Sequence, residues 1–238
     1  MKNIQRIFLA LLVCSLGINL TAQTNLSGKE ILDRMDANQT FKTVSYSGTM
    51  TIDLGKRVLV KKMETVAEGS KKAFVEFLNP EDKGTRYLKL ENEMWIYFPQ
   101  EQDTVKISGH LLKEGMMGSD VSYEDALESG ALADKYEIDV LGKEMLGDRP
   151  VWVLNLKAKV KTAPYDGQKL WIDSERYITL KAEMYAKSGK LLKESTVLEV
   201  KQFGSRWYPV KTLMKDTLRK GNGTLFEMTD LLFDSPVN

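Results

Sequence analysis

The amino-acid sequence predicts a mainly β protein built on one strongly curved antiparallel sheet with few helices. From residue 43 onward, most segments alternate apolar and polar residues with a period of two, which is typical of β-strands. Gly, Asn, Asp or Ser residues bound these segments, so consecutive strands have short connections and should pair in antiparallel order. About eleven or twelve strands are predicted, and a sheet of that size curls strongly or closes.

A short amphipathic helix is predicted at residues 28–38, before the sheet begins. Ser27 and Glu30 have the spacing of a capping box, in which each side chain satisfies a backbone N–H group at the start of the helix. Three apolar residues then share one face of the helix, which we expect to pack on the sheet. They are Ile31, Leu32 and Met35.

The predicted strands form two runs, at residues 43–107 and at residues 136–233. In the second run, residues 187–190 and 220–223 carry glycines in positions that are typical of hairpin turns. No linker-like segment or repeat separates the two runs. Residues 23–238 are therefore predicted to form a single domain.

Residues 108–134 interrupt the alternation and form the longest irregular segment of the chain. Long loops in compact domains are often lids or binding loops. Gly115 and Gly118 bracket Met116 and Met117, so we expect the backbone to hinge there while the methionines contact a ligand. Filling of the core is the alternative reason for these methionines. We expect the segment to lie across the open side of the sheet and to be more mobile than the strands.

A helical turn is predicted within this segment, at residues 119–127. Ser119 or Asp120 would cap its N-terminus. Three residues of this turn should hold it on the sheet, namely Tyr123, Glu124 and Asp125.

Residues 1–22 have the pattern of a secretion signal peptide. Lys2 and Arg6 form its positive end, residues 7–20 form its apolar stretch, and Ala22 is a small residue at the expected cut. The apolar stretch is shorter than the span of about 20 residues that a membrane helix requires. The sequence therefore predicts export with cleavage, and an uncleaved anchor is the alternative.

Cys14 is the only cysteine of the chain, and it lies within the predicted signal. Acylation at Cys14, as in a lipoprotein signal, is an alternative, but Val13 stands where a small residue is usual. Without the signal, the mature chain has no cysteine, which excludes disulfides, thiol catalysis and cysteine ligation of a metal. Such a chain depends on its apolar core for stability.

The inventory of side chains argues against catalysis and against nucleic-acid binding. Charged residues make up 28% of the chain, are interspersed, and give a formal net charge of +1, so no basic field favours nucleic acid. His110 is the only histidine, and neither a nucleophile elbow nor a phosphate-binding glycine loop is present. No metal or other cofactor is predicted. An enzyme would have to use carboxylates alone, such as Glu124 with Asp125.

Three predicted strands carry large apolar residues on both faces, at residues 94–98, 151–154 and 170–172. A half-exposed antiparallel strand has apolar residues on one face only, so either helices cover the second face or that face lines a ligand cavity. Two short helices cannot cover so many strands, which leaves apolar surface for a ligand. The residues predicted to line this groove for an apolar ligand, or its lid, are Met94, Trp95, Ile96, Tyr97, Phe98, Leu111, Leu112, Met116, Met117, Trp152, Leu154 and Trp171.

Three segments resemble the LolA-like outer-membrane lipoprotein-sorting proteins. They are FLNPEDKGT at 77–85, MWIYFP at 94–99 and, most specifically, MGSDVSYED at 117–125. The resemblance implies a half-open β-barrel with short helices over its concave side and a hydrophobic cavity for acyl chains. It also implies a periplasmic carrier that receives lipoproteins from an inner-membrane transporter and delivers them to an outer-membrane acceptor.

Transport of a lipid-modified cargo without catalysis is the function predicted from the sequence, for a chain that we expect to be monomeric. Removing an acyl chain from water is worth about 0.8 kcal/mol per methylene, so even partial shielding makes transit feasible. The cargo stays open between a lipoprotein, a free lipid and another amphiphile. The alternative function is a periplasmic sensor or regulatory domain of the same fold, which binds a lipid or polypeptide signal and passes it to a membrane partner.

Overall fold

One antiparallel sheet of thirteen strands forms the body of the protein in a computed structural model, which describes residues 26–236. The predicted signal peptide at residues 1–22, with Cys14, lies outside the described residues. The strands are β1 (Thr43–Asp53), β2 (Val58–Glu68), β3 (Lys72–Phe77), β4 (Arg86–Leu90), β5 (Glu93–Phe98), β6 (Asp103–Ile107), β7 (Tyr136–Leu146), β8 (Arg149–Ala158), β9 (Gly167–Asp173), β10 (Thr179–Tyr185), β11 (Leu191–Phe203), β12 (Arg206–Asp216) and β13 (Gly223–Phe233). The α-helices are α1 (Gly28–Gln39), α2 (Tyr123–Leu127) and α3 (Leu132–Lys135).

Two meanders make up this sheet. Strands β1 to β6 follow one another outward on one side, β7 to β13 do so on the other, and β1 pairs with β13 to join the halves. Strands β6 and β7 are the two edges, so the sheet is curved but unclosed. The predicted mainly β, curved antiparallel fold is confirmed, with thirteen strands where about eleven or twelve were expected.

Alternation along the strands separates an inner face, which the helices cover, from an outer face. In β5, Met94 and Ile96 are buried on the inner face, whereas Trp95 and Tyr97 are half-buried on the outer face. The two faces follow from the strand period of two, because successive side chains point to opposite sides of a sheet.

Helix α1 begins at the predicted capping box. Ser27 N donates to Glu30 Oε2 at 2.8 Å, and Glu30 N donates to Ser27 Oγ at 3.3 Å. Gly28 allows the helix to approach the sheet closely, because a Cβ atom there would lie only 2.4 Å from Ile138 Cγ2. Burial of each large apolar side chain of α1 is worth about 1.5–3 kcal/mol. The buried side chains are those of Ile31, Leu32 and Met35.

Three apolar clusters lie on the inner face. The first lies between α1 and strands β7 to β10, and it includes Ile31, Leu154 and Ile172. The second lies between strands β1 to β6 and the segment that joins β6 to β7, and it includes Ile52 and Phe77. The third lies between the other two, on β1, β12 and β13, and its buried residues are Val44, Val210 and Leu231. We call that joining segment, residues 108–135, the insertion.

The insertion contains two 3₁₀ turns, Gly109–Lys113 and Met116–Gly118, followed by α2 and α3. The predicted cap of α2 was wrong by two or three residues, because the cap is Ser122 rather than Ser119 or Asp120. Ser122 forms a complete capping box with Asp125, and this leaves Asp120 free to bind the sheet instead.

Candidate functional site

A cavity of about 310 Å³ lies on the inner face, beneath the insertion. Its volume is at the lower end of the range of about 300–1,000 Å³ that is usual for small-ligand pockets. Most of its lining side chains are aliphatic or aromatic. The larger ones are Phe41, Tyr46, Met50, Met63, Tyr87, Met94, Met116, Tyr208 and Phe226.

A second hollow, of about 650 Å³, adjoins the cavity, and we call it the mouth. It lies between the C-terminal half of α1 and residues 128–132 of the insertion, where Gly130 has a φ of +89°. The cavity and the mouth share Ala73 and Lys89 among their lining residues, so they form one continuous groove.

Small side chains in one cross-strand row make room for this groove. Val44 of β1 is paired with Ala67 of β2, which is paired with Ala73 of β3 and then with Lys89 of β4. Two successive alanines on the inner face leave the space that larger side chains fill in the neighbouring rows. The cavity is therefore built into the sheet itself.

Few polar atoms enter the cavity. The hydroxyl Oγ1 of Thr65 is buried and has no hydrogen-bond partner among residues 26–236. The hydroxyl of Tyr87 donates to Met117 Sδ at 3.0 Å, and its ring stacks on Tyr123 with the ring centroids 6.1 Å apart. Burial, together with the nearby Tyr46, raises the pKa of Tyr208 to about 12. These hydroxyls are therefore neutral at physiological pH.

One polar network ties the insertion to β12 and β13. Thr224, which is fully buried, donates from Oγ1 to Asp120 Oδ2 at 2.6 Å and accepts a hydrogen bond from Asp120 N at 2.9 Å. Asp216 N donates to Asp120 Oδ1 at 3.0 Å. Arg219 donates to the backbone oxygens of Gly118 and Ser119.

A second network ties α2 to the far half of the sheet. Asp125 forms an ion pair with Lys193 of β11 and accepts a hydrogen bond from Tyr165. Burial alone raises the pKa of Asp125, but the ammonium group of Lys193 and the hydrogen bonds outweigh burial and hold the pKa below its ordinary value. Asp125 is therefore a carboxylate throughout the physiological pH range.

Met116 and Met117 lie in the turn between these networks. Met116 lines the cavity, and Met117 adopts a φ of +53° with its sulfur against Tyr87. Gly115 is needed for a close approach, since a Cβ atom there would lie 2.0 Å from Ser119 O. The structure therefore explains Gly115 as a packing requirement of this turn, and its role as a hinge stays a prediction.

A family model described as an uncharacterized protein matches residues 69–238, which is more than half of the chain. Three solved structures share the fold over 89% of the chain. They are a DUF1329 family protein from Desulfovibrio piger (23% identity, TM-score 0.81, 93% of that chain covered), a proposed outer membrane lipoprotein-sorting protein domain from Vibrio parahaemolyticus (25%, 0.77, 94%) and a LolA superfamily protein from Nitrosomonas europaea (20%, 0.70, 96%). No curated protein matches the chain.

The chain belongs to a LolA-like family. The predicted resemblance to the LolA-like family is thereby confirmed. In this LolA-like protein, no helix within residues 26–236 is long and apolar enough to cross a membrane. Across the same described residues, no group of three or more His, Cys, Asp or Glu side chains is placed to hold a metal ion.

The twelve residues predicted from the sequence fall into three places in the LolA-like fold. Around the cavity, Met94 and Met116 line the wall, and four others pack in the adjoining cluster, namely Ile96, Leu111, Leu112 and Met117. Beneath α1 lie Trp152 and Leu154. On the outer face lie Trp95, Tyr97 and Trp171, while Phe98 is exposed at the end of β5.

The outer-face residues do not contact the cavity, because the strand period sends them to the opposite side. Trp95 lies beneath the Lys106 ammonium group, 5.5 Å from the ring centroid, and Trp171 donates to Glu144 Oε1 at 2.7 Å. The contribution of all twelve residues to lipid binding stays a prediction.

Several cavity residues were missed by the sequence reasoning. They lie on strands with ordinary alternation and include Val44, Tyr46, Met50, Met63, Tyr208 and Phe226. The apolar residues Val44, Met50 and Ile52 indicate which face of β1 points inward. The sequence does not indicate that β1 pairs with β13. Lys89 was missed because a single lysine within a short strand is commonly exposed.

Proposed function

We propose that this LolA-like protein is a periplasmic carrier that binds the acyl chains of a lipoprotein or lipid in the groove and moves them toward the outer membrane. The observation that carries the proposal is the apolar cavity of about 310 Å³, which continues into the mouth between α1 and the insertion. Each methylene group that leaves water for such a surface contributes about 0.8 kcal/mol. The function proposed for the Vibrio parahaemolyticus domain supports the same class of cargo.

Release of the cargo requires that the groove can open. Two local polar networks, around Asp120 and Asp125, hold the insertion over the cavity, and the apolar contacts of Met116 and Met117 lie between them. Lids held by a few contacts open at a lower free energy than a folded core does. We therefore propose transient docking of a monomer at an inner-membrane transporter and an outer-membrane acceptor, with no chemical step.

Native mass spectrometry of the purified protein, together with uptake of a fluorescent fatty acid, tests this function. Ala73→Phe places a ring on the floor of the cavity and should abolish uptake while the protein stays folded, because cavity filling is commonly stabilising. Lys62→Phe adds the same ring to an exposed position on β2 and should leave uptake unchanged. Uptake that Ala73→Phe does not reduce would contradict the proposed site.

The sensor alternative predicts a different result in pull-downs from cell envelopes. A sensor needs one tight stoichiometric partner, whereas a carrier docks transiently at two membranes. Capture of a single stoichiometric membrane protein, with no lipid in the native mass spectrum, would replace the carrier function by the sensor function.

A further inference from the structure

Lys89 is a buried cation at the junction of the cavity and the mouth. Its side chain lines both, and the residue is only 7% exposed. Its Nζ donates one long hydrogen bond, of 3.3 Å, to the backbone oxygen of Ala126. Among residues 26–236, no carboxylate lies within ion-pair distance of Lys89. Buried charges in proteins are nearly always paired, so this lysine needs an explanation.

The other buried lysines of the described chain have the usual explanation. Lys61 forms ion pairs with Asp82 and Glu81, and Lys193 forms one with Asp125. Lys89 is thus the buried lysine that lacks a carboxylate partner.

The charged groups nearest to Lys89 do not neutralise it. Glu128 lies close enough to act on Lys89, but its carboxylate is ion-paired with Lys135, which repels Lys89. Asp36 and Lys72 line the mouth as well, and they oppose each other in sign. Burial lowers the pKa of Lys89, because the nearby Glu128 and Lys135 act in opposite directions and do not offset the loss of hydration.

The surroundings of Lys89 have room for a ligand group. Lys89 is the partner of Ala73 across the β3–β4 pair, and Ala73 is the partner of Ala67, so small side chains flank it on the inner face. Thr65 lies on the same face in the next row, and its buried hydroxyl has no hydrogen-bond partner among the described residues. A buried lysine with one long hydrogen bond and a buried hydroxyl with none, both in an otherwise apolar groove, point to a polar ligand atom.

We propose that Lys89 binds the anionic group of an amphiphile, a carboxylate or a phosphate, whose hydrocarbon chain occupies the cavity. The inference rests on the proposed lipid-binding function and specifies the chemistry of the ligand. A hydrogen-bonded anion would supply the missing counter-charge, and the mouth places that anion near solvent. A neutral amphiphile would leave Lys89 uncompensated, so the groove discriminates between charged and neutral lipids.

Binding of three ligands with the same C18 chain tests the proposal: oleate, oleoyl lysophosphatidic acid and oleyl alcohol. Lys89→Met keeps an unbranched side chain that is one atom shorter and removes the charge. It should weaken binding of at least one anionic ligand about 10- to 100-fold, the usual value of a charge-assisted hydrogen bond. The anionic ligand that loses more affinity identifies the preferred group, and binding of oleyl alcohol should not weaken.

Two further variants serve as controls. Lys62→Met, on the exposed outer side of β2, should bind all three ligands as the wild type does, and Lys89→Arg should retain the preference for anions even if Lys89→Met fails to fold. Equal loss of oleyl alcohol and oleate, or no loss of either anion, would overturn the role of Lys89 while the carrier function stands. Failure of the wild type to bind any of the three ligands would overturn the carrier function and this inference together.

Discussion

The anchor between Thr224 and Asp120 allows a quantitative test of how firmly the insertion is held. Thr224→Val is nearly isosteric, so it removes the hydroxyl without opening a cavity. The variant loses a hydrogen bond to a carboxylate, worth about 1.5–3 kcal/mol, and leaves Asp120 N without its acceptor, at a further cost of about 1–3 kcal/mol. Asp120 keeps its hydrogen bond from Asp216 N. We therefore expect a total loss of about 3 kcal/mol, toward the lower end of the sum.

Urea denaturation followed by circular dichroism measures this loss as a lower midpoint at an unchanged slope. Amide hydrogen exchange should show the increase in opening first at residues 119–121, and release of a fluorescent fatty acid should become faster. Thr229→Val, at an exposed position of the same strand, is the matched control and should change stability by less than about 0.5 kcal/mol. A loss in Thr224→Val as small as that of Thr229→Val would refute the reasoning that this network anchors the insertion.

Three further predictions separate core, anchor and lid. Ile31→Ala should cost about 2–5 kcal/mol in urea denaturation, because Ile31 of α1 is fully buried between the helix and the sheet, yet lipid affinity of the folded protein should not change. The pKa of Asp125 is lowered in the folded protein, so the ion pair with Lys193 stabilises the protein fully above the ordinary carboxyl pKa of about 3.9. This stabilisation is lost as the pH falls from that value through the lowered pKa of the folded protein. The stability difference between the wild type and Asp125→Asn should therefore shrink over that acidic range. Replacing Met116 and Met117 together by Asp should weaken uptake of a fluorescent fatty acid with little change in the urea midpoint, and global unfolding of that variant would instead place both residues in the core.

The local elements of the fold could be predicted from the sequence because their signals are short in range. The capping box of Ser27 and Glu30 fixes the start of α1, and the glycines at 187–190 and 220–223 mark two hairpins. In each case the interacting groups lie within a few residues of one another. The antiparallel order within each meander then follows from short connections.

The site was harder to predict because it depends on contacts between distant residues. Pairing of β1 with β13 brings Val44 opposite Phe233 across almost the whole chain, and alternation does not reveal that partner. The residues of β5 were predicted to line the groove because several are large and aromatic. The strand period of two places Trp95 and Tyr97 on the outer face, away from the cavity. Alanines carry no such signal, yet Ala67 and Ala73 decide where the groove lies. Ser119, Asp120 and Ser122 all have side chains that can cap the N-terminus of a helix, so the residue type did not identify Ser122 as the cap.

The groove lies in a gap in the side-chain packing of the inner face. Helix α1 covers one half of the sheet and the insertion covers the other, while Ala67 and Ala73 provide too little side chain to close the gap. A gap of this kind contributes no packing energy, and Lys89 adds an uncompensated charge to it. Both costs fall when an anionic amphiphile occupies the groove. Bound ligand at 100 times its dissociation constant stabilises a protein by about 2.7 kcal/mol, so features that weaken the ligand-free protein become the means by which cargo is held.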